Sequence, residues 1–203
     1  DADSVDTAIF YSISNAQTGL AGVSFGNFLI KRVVDELRRD LPNLKNFATL
    51  SPVPGFRRWL DKELAAGEAG LWSEAVGAKL AELGGAETPF EGEANLLKVE
   101  DWWRKPELHD VLKPVLTRQC TKYLLEAKRG QQAADRVEHF HLTNGARLER
   151  LNWLADTSHN GIRQSAGMMV NYLYKLREIE RNHEVYSEAG RISTATAVKK
   201  ILG

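Results

Sequence analysis

Ser51 is a candidate for chemistry because it ends a predicted strand, Asn46–Ser51, and is followed directly by Pro-Val-Pro-Gly. Open α/β sheets bind ligands at the carboxyl ends of their parallel strands. The two prolines stiffen the backbone beyond the hydroxyl and would fix it in space. A serine before Pro52 is also a common helix N-cap, with the proline in an early helical position. The spacing alone favours the cap, so both interpretations stay open at this point.

Histidine is the second candidate, because its side chain exchanges protons near neutral pH. The chain has five histidines: His109, His139, His141, His159 and His183. His139 and His141 lie two apart in Val137–Leu142, whose alternation predicts a strand with both side chains on one face. No cysteine or acidic residue follows at a ligand-like spacing, so we expect no metal site there. A packed strand histidine is the alternative.

Gly19, Gly22 and Gly26 punctuate the chain between a predicted strand, Ala8–Ser14, and a predicted helix, Asn27–Arg39. Glycines before a helix N-terminus let backbone N–H groups approach a phosphate. Neither the Gly-x-Gly-x-x-Gly pattern nor a Gly-Lys-Ser/Thr sequence is present, which excludes the two common nucleotide loops. The glycines predict an anion site or a simple turn with equal weight.

These residues need a sheet that brings them together. The order strand, helix, strand, and a further helix from Phe56 predicts a right-handed parallel βαβ unit. Residues 65–130 predict a helical insertion. Val137–Leu142 and Arg147–Leu154 predict a hairpin around Asn144-Gly145, with a bulge near Glu149–Arg150. A helix is predicted over Ser165–Arg181. The expected class is α/β (α+β), a mixed sheet with the helical insertion between its second and third strands.

Composition excludes several functions. The 203 residues include 27 Lys plus Arg and 27 Asp plus Glu, so the chain has no basic field for nucleic acid or an acidic membrane. Cys120 is the only cysteine, which excludes a disulfide framework and predicts a structural thiol in a reducing compartment. No apolar run reaches the roughly 20 residues of a membrane span. We therefore expect a cytoplasmic protein that binds neither nucleic acid nor membrane.

Several blocks of sequence together resemble one family, malonyl-CoA decarboxylase. They follow the family's order and span the chain from Phe10 to Tyr174. The blocks are Phe10-Tyr-Ser-Ile-Ser-Asn, Gly19-Leu-Ala-Gly-Val with Phe28-Leu-Ile-Lys-Arg-Val-Val, Thr49-Leu-Ser-Pro-Val-Pro-Gly-Phe, Phe140-His-Leu-Thr-Asn-Gly-Ala, Asn152-Trp with Ala155-Asp, and Met169-Val-Asn-Tyr. The resemblance implies a fold like that of the GNAT acyltransferases. It also implies that the chain is a partial catalytic domain, lacking an N-terminal helical domain and the first strands.

The resemblance assigns residues one by one. Ser51, His141 and Tyr174 correspond to catalytic residues, and His139 falls outside the matching block. The substrate loop, in which a glycine turn holds the coenzyme A pyrophosphate, corresponds to Ala21, Gly22, Val23, Ser24, Phe25, Gly26 and Asn27. Some members carry a glutamate at the position of Ser24, so any role of a carboxylate there has no counterpart in this chain.

The implied activity is decarboxylation of malonyl-CoA to acetyl-CoA and CO2, with a Ser/His pair that stabilises and protonates an enolate. It needs no metal or organic cofactor; malonyl-CoA and coenzyme A are bound as substrate and product. The implied partners are the remaining N-terminal part of the enzyme and further copies in a dimer or tetramer. Two other functions stay open, a coenzyme A-dependent N-acetyltransferase and a non-catalytic coenzyme A-binding or assembly module.

Overall fold

The computed structural model describes residues 5–11, 26–68 and 70–203, with the backbone alone at 26–29 and 31. In this part of the chain one mixed sheet contains β1 (Thr7–Phe10), β2 (Asn46–Thr49), β3 (Ser51–Pro52), β6 (Arg147–Asn152) and β7 (Met169–Leu173). A separate hairpin contains β4 (Lys128–Arg129) and β5 (Gln132–Ala133). The helices are α1 (Gly26–Asp40), α2 (Phe56–Ala66), α3 (Glu74–Gly84), α4 (Pro89–Leu96), a 3₁₀ helix (Trp102–Arg104), α5 (Pro106–Glu126), α6 (Arg136–Thr143), α7 (His159–Ser165), α8 (Ile179–Ala189) and α9 (Thr196–Lys199).

The sheet confirms the predicted α/β class. β1 and β2 pair in parallel, with Thr7 opposite Asn46, and α1 connects them as the predicted βαβ unit requires. β7 runs antiparallel to β2, β3 and β6. The register of β6 shifts between Leu148 and Arg150, which confirms the predicted bulge. The likeness to GNAT acyltransferases stays a prediction.

β2 and β3 act as one strand along β7, although the sequence predicted a single strand ending at Ser51. Ala48 lies opposite Leu173 and Ser51 lies opposite Val170, so the register is the same on both sides of Leu50. Side chains alternate between the two faces of a strand. Thr49 of β2 and Ser51 of β3 therefore point to the same face of the sheet as Val170 and Tyr172 of β7.

The predicted helix over Ser165–Arg181 is wrong, because its centre is strand β7. Helix α7 ends at Ser165, and the next two residues, Ala166 and Gly167, have positive φ angles of 49° and 75°. Two successive left-handed residues stop a helix and turn the chain. The following Met-Val-Asn-Tyr-Leu then enters the sheet between β2/β3 and β6.

The predicted strand Val137–Leu142 is also wrong, because the segment forms helix α6. The Asp135 carboxylate accepts hydrogen bonds from the backbone N–H groups of Val137 and Glu138 and so caps the helix. The buried residues of α6 follow helical spacing: Glu138, His141 and Leu142. Asn144-Gly145 is not a hairpin turn; it ends the helix, with Gly145 at φ 77°. Consequently the strand after β3 in the main sheet is β6.

The segment predicted as a helical insertion, residues 65–130, contains α3, α4, the 3₁₀ helix and α5. Its status as a separate unit stays a prediction. Cys120 is fully buried in α5, and burial raises the pKa of its thiol well above the usual range. The thiol therefore stays protonated in the interior. In the described ranges no helix is long and apolar enough to cross a membrane.

Glu93 of α4 is a buried carboxyl in this helical layer. Its Oε2 accepts a hydrogen bond of 2.9 Å from Gln119 Nε2, and its exposed fraction is 0%. Burial raises the pKa of Glu93 to about 7. A raised carboxyl pKa stabilises the fold below the unfolded value of 4.5, and this contribution is lost as the pH rises through about 7.

We expect Glu93→Gln to remove the loss of stability that Glu93 causes as the pH rises. Between pH 5.5 and pH 8.5 the free energy of unfolding of the unsubstituted protein should fall by about 2 kcal/mol relative to the variant, from the pKa difference. Urea denaturation at the two pH values measures it. Glu100→Gln, at an exposed position, is the matched control. Equal pH dependence of the Glu93→Gln variant and the unsubstituted protein contradicts a neutral buried Glu93.

Candidate active site

One face of the sheet carries a row of polar and aromatic side chains. Thr49 and Ser51 are two residues apart on β2 and β3, and Tyr172 is two residues before Tyr174 on and just beyond β7. The backbone N–H of Tyr172 donates to Thr49 Oγ1 at 3.3 Å, and the backbone N–H of Tyr174 donates to the Phe47 carbonyl at 2.8 Å. The strand pairing thus sets these four side chains side by side.

Helix α6 supplies the histidine to this face. His141 lies in the last turn of α6 and is only 2% exposed. Its imidazole stacks on the Tyr172 ring, with centroids 4.5 Å apart and planes at 23°. A flat aromatic contact of this kind fixes the plane of the imidazole and therefore the directions of both nitrogens.

A chain of hydrogen bonds runs through the imidazole. His141 Nδ1 lies 2.7 Å from the Tyr174 hydroxyl, and Nε2 lies 3.0 Å from Ser51 Oγ. Ser51 Oγ donates in turn to Thr49 Oγ1 at 2.9 Å. The structure therefore brings together Ser51, His141 and Tyr174, which the family resemblance assigned to one site.

Burial sets the protonation states of His141 and Tyr174 in this hydrogen-bonded row. Desolvation lowers the pKa of His141 to about 3 and raises the pKa of the Tyr174 hydroxyl well above its usual range. The imidazole is therefore neutral at physiological pH, with one nitrogen protonated. Ser51 has one hydroxyl hydrogen, and while it donates that hydrogen to Thr49, Nε2 must carry the imidazole proton and donate to Ser51, and Tyr174 donates to Nδ1. In the other tautomer all three bonds reverse, so that Nδ1 donates to Tyr174, Ser51 donates to Nε2 and Thr49 donates to Ser51. The arrangement can hold a proton at Ser51 or pass one along without a net charge.

His139 is separated from this site. Two residues along a helix turn a side chain through about 200°, so His139 points away from His141. Its Nδ1 lies 2.7 Å from the Tyr186 hydroxyl, which also accepts a hydrogen bond of 2.9 Å from the backbone N–H of Ala133. The expectation that both histidines share one sheet face is wrong, because it assumed a strand.

The predicted substrate loop falls largely outside the described residues. Ala21, Gly22, Val23, Ser24 and Phe25 are not described, and Gly26 and Asn27 begin α1. The role of the loop stays a prediction. Within residues 5–11, 26–68 and 70–203 no group of three or more His, Cys, Asp or Glu side chains is placed to hold a metal ion.

Two site residues were not predicted, Thr49 and Tyr172. Thr49 is two residues before Ser51 in an extended segment, so alternation alone places it on the same face. Tyr172 is two residues before Tyr174, and the same alternation would have indicated it had β7 been recognised as a strand. The helix predicted over this segment hid that signal.

The family model for the malonyl-CoA decarboxylase C-terminal domain matches residues 1–203. The mitochondrial malonyl-CoA decarboxylase of Anser anser anser is 43% identical over 98% of the chain, which spans 40% of that protein. The crystal structure of malonyl-CoA decarboxylase from Rhodopseudomonas palustris is 46% identical with a TM-score of 0.84, over 98% of this chain and 43% of that one. The structure from Agrobacterium vitis is 44% identical with a TM-score of 0.86, over 100% of this chain and 47% of that one. This chain therefore belongs to the malonyl-CoA decarboxylase family.

Proposed function

We propose that this chain is part of an enzyme that decarboxylates malonyl-CoA to acetyl-CoA and CO2. One observation carries the proposal beyond family membership: the buried hydrogen-bonded chain of Tyr174, His141 and Ser51. The reaction consumes one proton, and these three hydrogen-bonded groups can each give or accept one. The relatives of this protein are named for the same reaction.

The reaction begins with the loss of CO2. The bond between the carboxylate and the α-carbon breaks, and its electron pair moves into the thioester to give an enolate. A hydrogen-bond donor aimed at the enolate oxygen stabilises this transition state, typically by about 2.7–4 kcal/mol. The Ser51 hydroxyl or His141 Nε2–H serves as this donor, and the burial of both residues strengthens such a bond because water does not compete.

Protonation of the α-carbon completes the reaction. Because His141 is neutral, the proton comes from a neutral donor in the pair, the Ser51 hydroxyl or His141 Nε2–H, rather than from an imidazolium. Tyr174 holds the far nitrogen and keeps the imidazole oriented while the proton moves. One proton from solvent restores the pair in each turnover, which balances the reaction.

The proposed reaction uses no cofactor, since the thioester itself accepts the electron pair. Coenzyme A is then held through its pyrophosphate by the backbone of Ala21–Asn27 at the start of α1. The first N–H groups of an α-helix have no partner within the helix and lie at the positive end of its dipole, so the start of α1 at Gly26 suits an anion.

We expect Gly22→Leu to weaken coenzyme A binding by about tenfold or more, roughly 1.4 kcal/mol, since a side chain there would hold the pyrophosphate away from the backbone. Calorimetric titration with coenzyme A measures the change. The Tm of the variant should match that of the unsubstituted protein, which shows that the fold is intact. An unchanged Kd at equal Tm contradicts the loop assignment.

The function itself is tested on the full-length protein, meaning this chain, which spans 40% of the Anser anser anser relative, together with the N-terminal part that we propose precedes it. Incubation with malonyl-CoA should yield acetyl-CoA and CO2 in equal amounts, without added metal. Transfer of an acetyl group from acetyl-CoA to an added amine would instead indicate an acetyltransferase. Binding of coenzyme A without turnover would indicate a non-catalytic module.

Assembly and compartment belong to the same proposal. We expect the full-length protein to form a dimer or tetramer in the cytoplasm, and light scattering and fractionation measure the two properties. The goose relative is named as mitochondrial. Recovery of the protein in an organelle fraction would therefore correct the compartment and leave the reaction as proposed.

A further inference from the structure

We propose that Asp135 is a positioning residue that sets the distance between Ser51 and His141. The proposal rests on the proposed function, because it concerns how the same pair is held. Asp135 lies six residues before His141 and is 2% exposed. Its two carboxylate oxygens bind two different parts of the chain, and each part carries one member of the pair.

The first oxygen holds the helix of His141. Asp135 Oδ1 accepts from the backbone N–H groups of Val137 at 2.9 Å and Glu138 at 3.1 Å, at the N-terminus of α6. An α-helix is stiff over two turns, so fixing its first N–H groups fixes the position of His141 near its other end.

The second oxygen holds the segment of Ser51. Asp135 Oδ2 accepts from the backbone N–H of Gly55 at 3.1 Å and lies 3.5 Å from the Tyr123 hydroxyl. Gly55 follows Ser51 by four residues, and Pro52 and Pro54 restrict the backbone between them. A Cβ on Gly55 would come within 2.1 Å of the Tyr123 hydroxyl and 3.3 Å of Asp135 Oδ2, so the turn sits directly on these two groups.

Little else of polar character joins the two parts. Among the described residues, no backbone-to-backbone hydrogen bond connects Ser51–Gly55 with α6. The remaining polar contact between them is the one between Ser51 and His141 themselves. The Asp135 carboxylate therefore links the two parts through separate oxygens. Oδ1 caps helix α6, and Oδ2 binds the backbone N–H of Gly55.

Substitutions can separate the two tasks. Asn and Ser are N-caps as good as Asp, so Asp135→Asn and Asp135→Ser keep the cap of α6. In Asp135→Asn an NH2 group replaces Oδ2, and because it cannot accept a hydrogen bond, the bond from the Gly55 N–H is lost. In Asp135→Ser the side chain is too short to reach Gly55, so the same bond is lost. Ser73→Ala is the matched control, since Ser73 caps α3 by accepting from Val76 and touches nothing in the site.

The experiment measures kcat and KM of the full-length protein for malonyl-CoA. Both Asp135 variants should lose about 10- to 100-fold in kcat, with KM within about twofold, because a displacement of about 1 Å between reacting groups can cost 100-fold. Ser73→Ala should lower Tm without changing kcat. A kcat of the Asp135 variants equal to that of Ser73→Ala overturns the proposal.

A crystal structure of Asp135→Asn supplies a readout that does not need turnover. The distance between Ser51 Oγ and His141 Nε2 should lengthen beyond hydrogen-bonding range, and a distance that stays at 3.0 Å overturns the positioning role. If the unsubstituted protein does not decarboxylate malonyl-CoA, the proposed function fails while this distance still decides the role of Asp135. Should Asp135→Asn not fold, the same measurement is made on Asp135→Ser.

Discussion

Replacing His141 with Asn in the full-length protein is expected to lower kcat for malonyl-CoA by about 10²- to 10⁴-fold, the usual contribution of a positioned proton-transfer group. Ser51→Ala should have a loss of similar size, because Ser51 Oγ and His141 Nε2 lie 3.0 Å apart and handle the same proton. Residues that act as a unit lose activity non-additively. The double variant should therefore be little worse than the more damaging single variant.

His139→Asn is the matched control for this cycle. His139 lies on the same helix but contacts Tyr186 rather than the sheet, so its replacement should leave most of the activity. Additive losses in the double variant would show that Ser51 and His141 act separately. A greater loss from His139→Asn than from His141→Asn would show that the histidine was assigned wrongly.

Acid should destabilise the fold through the same histidine. In the unfolded chain the pKa of His141 is 6.5, and burial lowers it to about 3 in the folded protein. The folded state therefore binds fewer protons than the unfolded state between these values, so stability is present above pH 6.5 and is lost as the pH falls. From pH 7 to pH 4.5 this one group should cost about 2.5 kcal/mol.

Comparing the unsubstituted protein with His141→Asn isolates the loss of stability in acid that is due to His141. Burial also raises the pKa of Glu93 and Glu138, which act with the opposite sign, but both carboxyls are present in the variant and cancel. Urea denaturation at pH 7 and pH 4.5 should show a smaller loss of stability for the variant. An equal loss in both proteins would mean that His141 takes up a proton in the folded state without difficulty.

Ser51, His141 and Tyr174 lie together as expected, while their catalytic roles stay predictions. Two of the elements that carry them were predicted wrongly, helix α6 as a strand and strand β7 as a helix. The strand-end position made Ser51 a candidate but favoured a helix cap, and the family resemblance decided between the two. The parallel pairing of β1 and β2 followed from the order of elements. His141 and Tyr174 came from the family resemblance alone. Local pattern could not assign them, because six alternating residues around His141 fit a strand as well as a short helix.

The errors have a physical cause in each case. The cap at Asp135, with Glu138 three residues later, is a helix-start signal that outweighs the alternation after it. The two left-handed residues Ala166 and Gly167 separate α7 from β7, and a left-handed alanine cannot be expected from its residue type. Asp135 itself gave no functional signal, since its contact with Gly55 joins residues 80 positions apart.

A crystal structure of the full-length protein with a non-reactive malonyl-CoA analogue tests the assignment of the site most directly. The thioester oxygen or the α-carbon should lie within hydrogen-bonding reach, roughly 2.6–3.2 Å, of Ser51 Oγ or His141 Nε2. The pyrophosphate should lie against the backbone of residues 21–27. A thioester bound away from both side chains, with Ser51 and His141 still bonded only to each other, would contradict a role for the pair in the reaction.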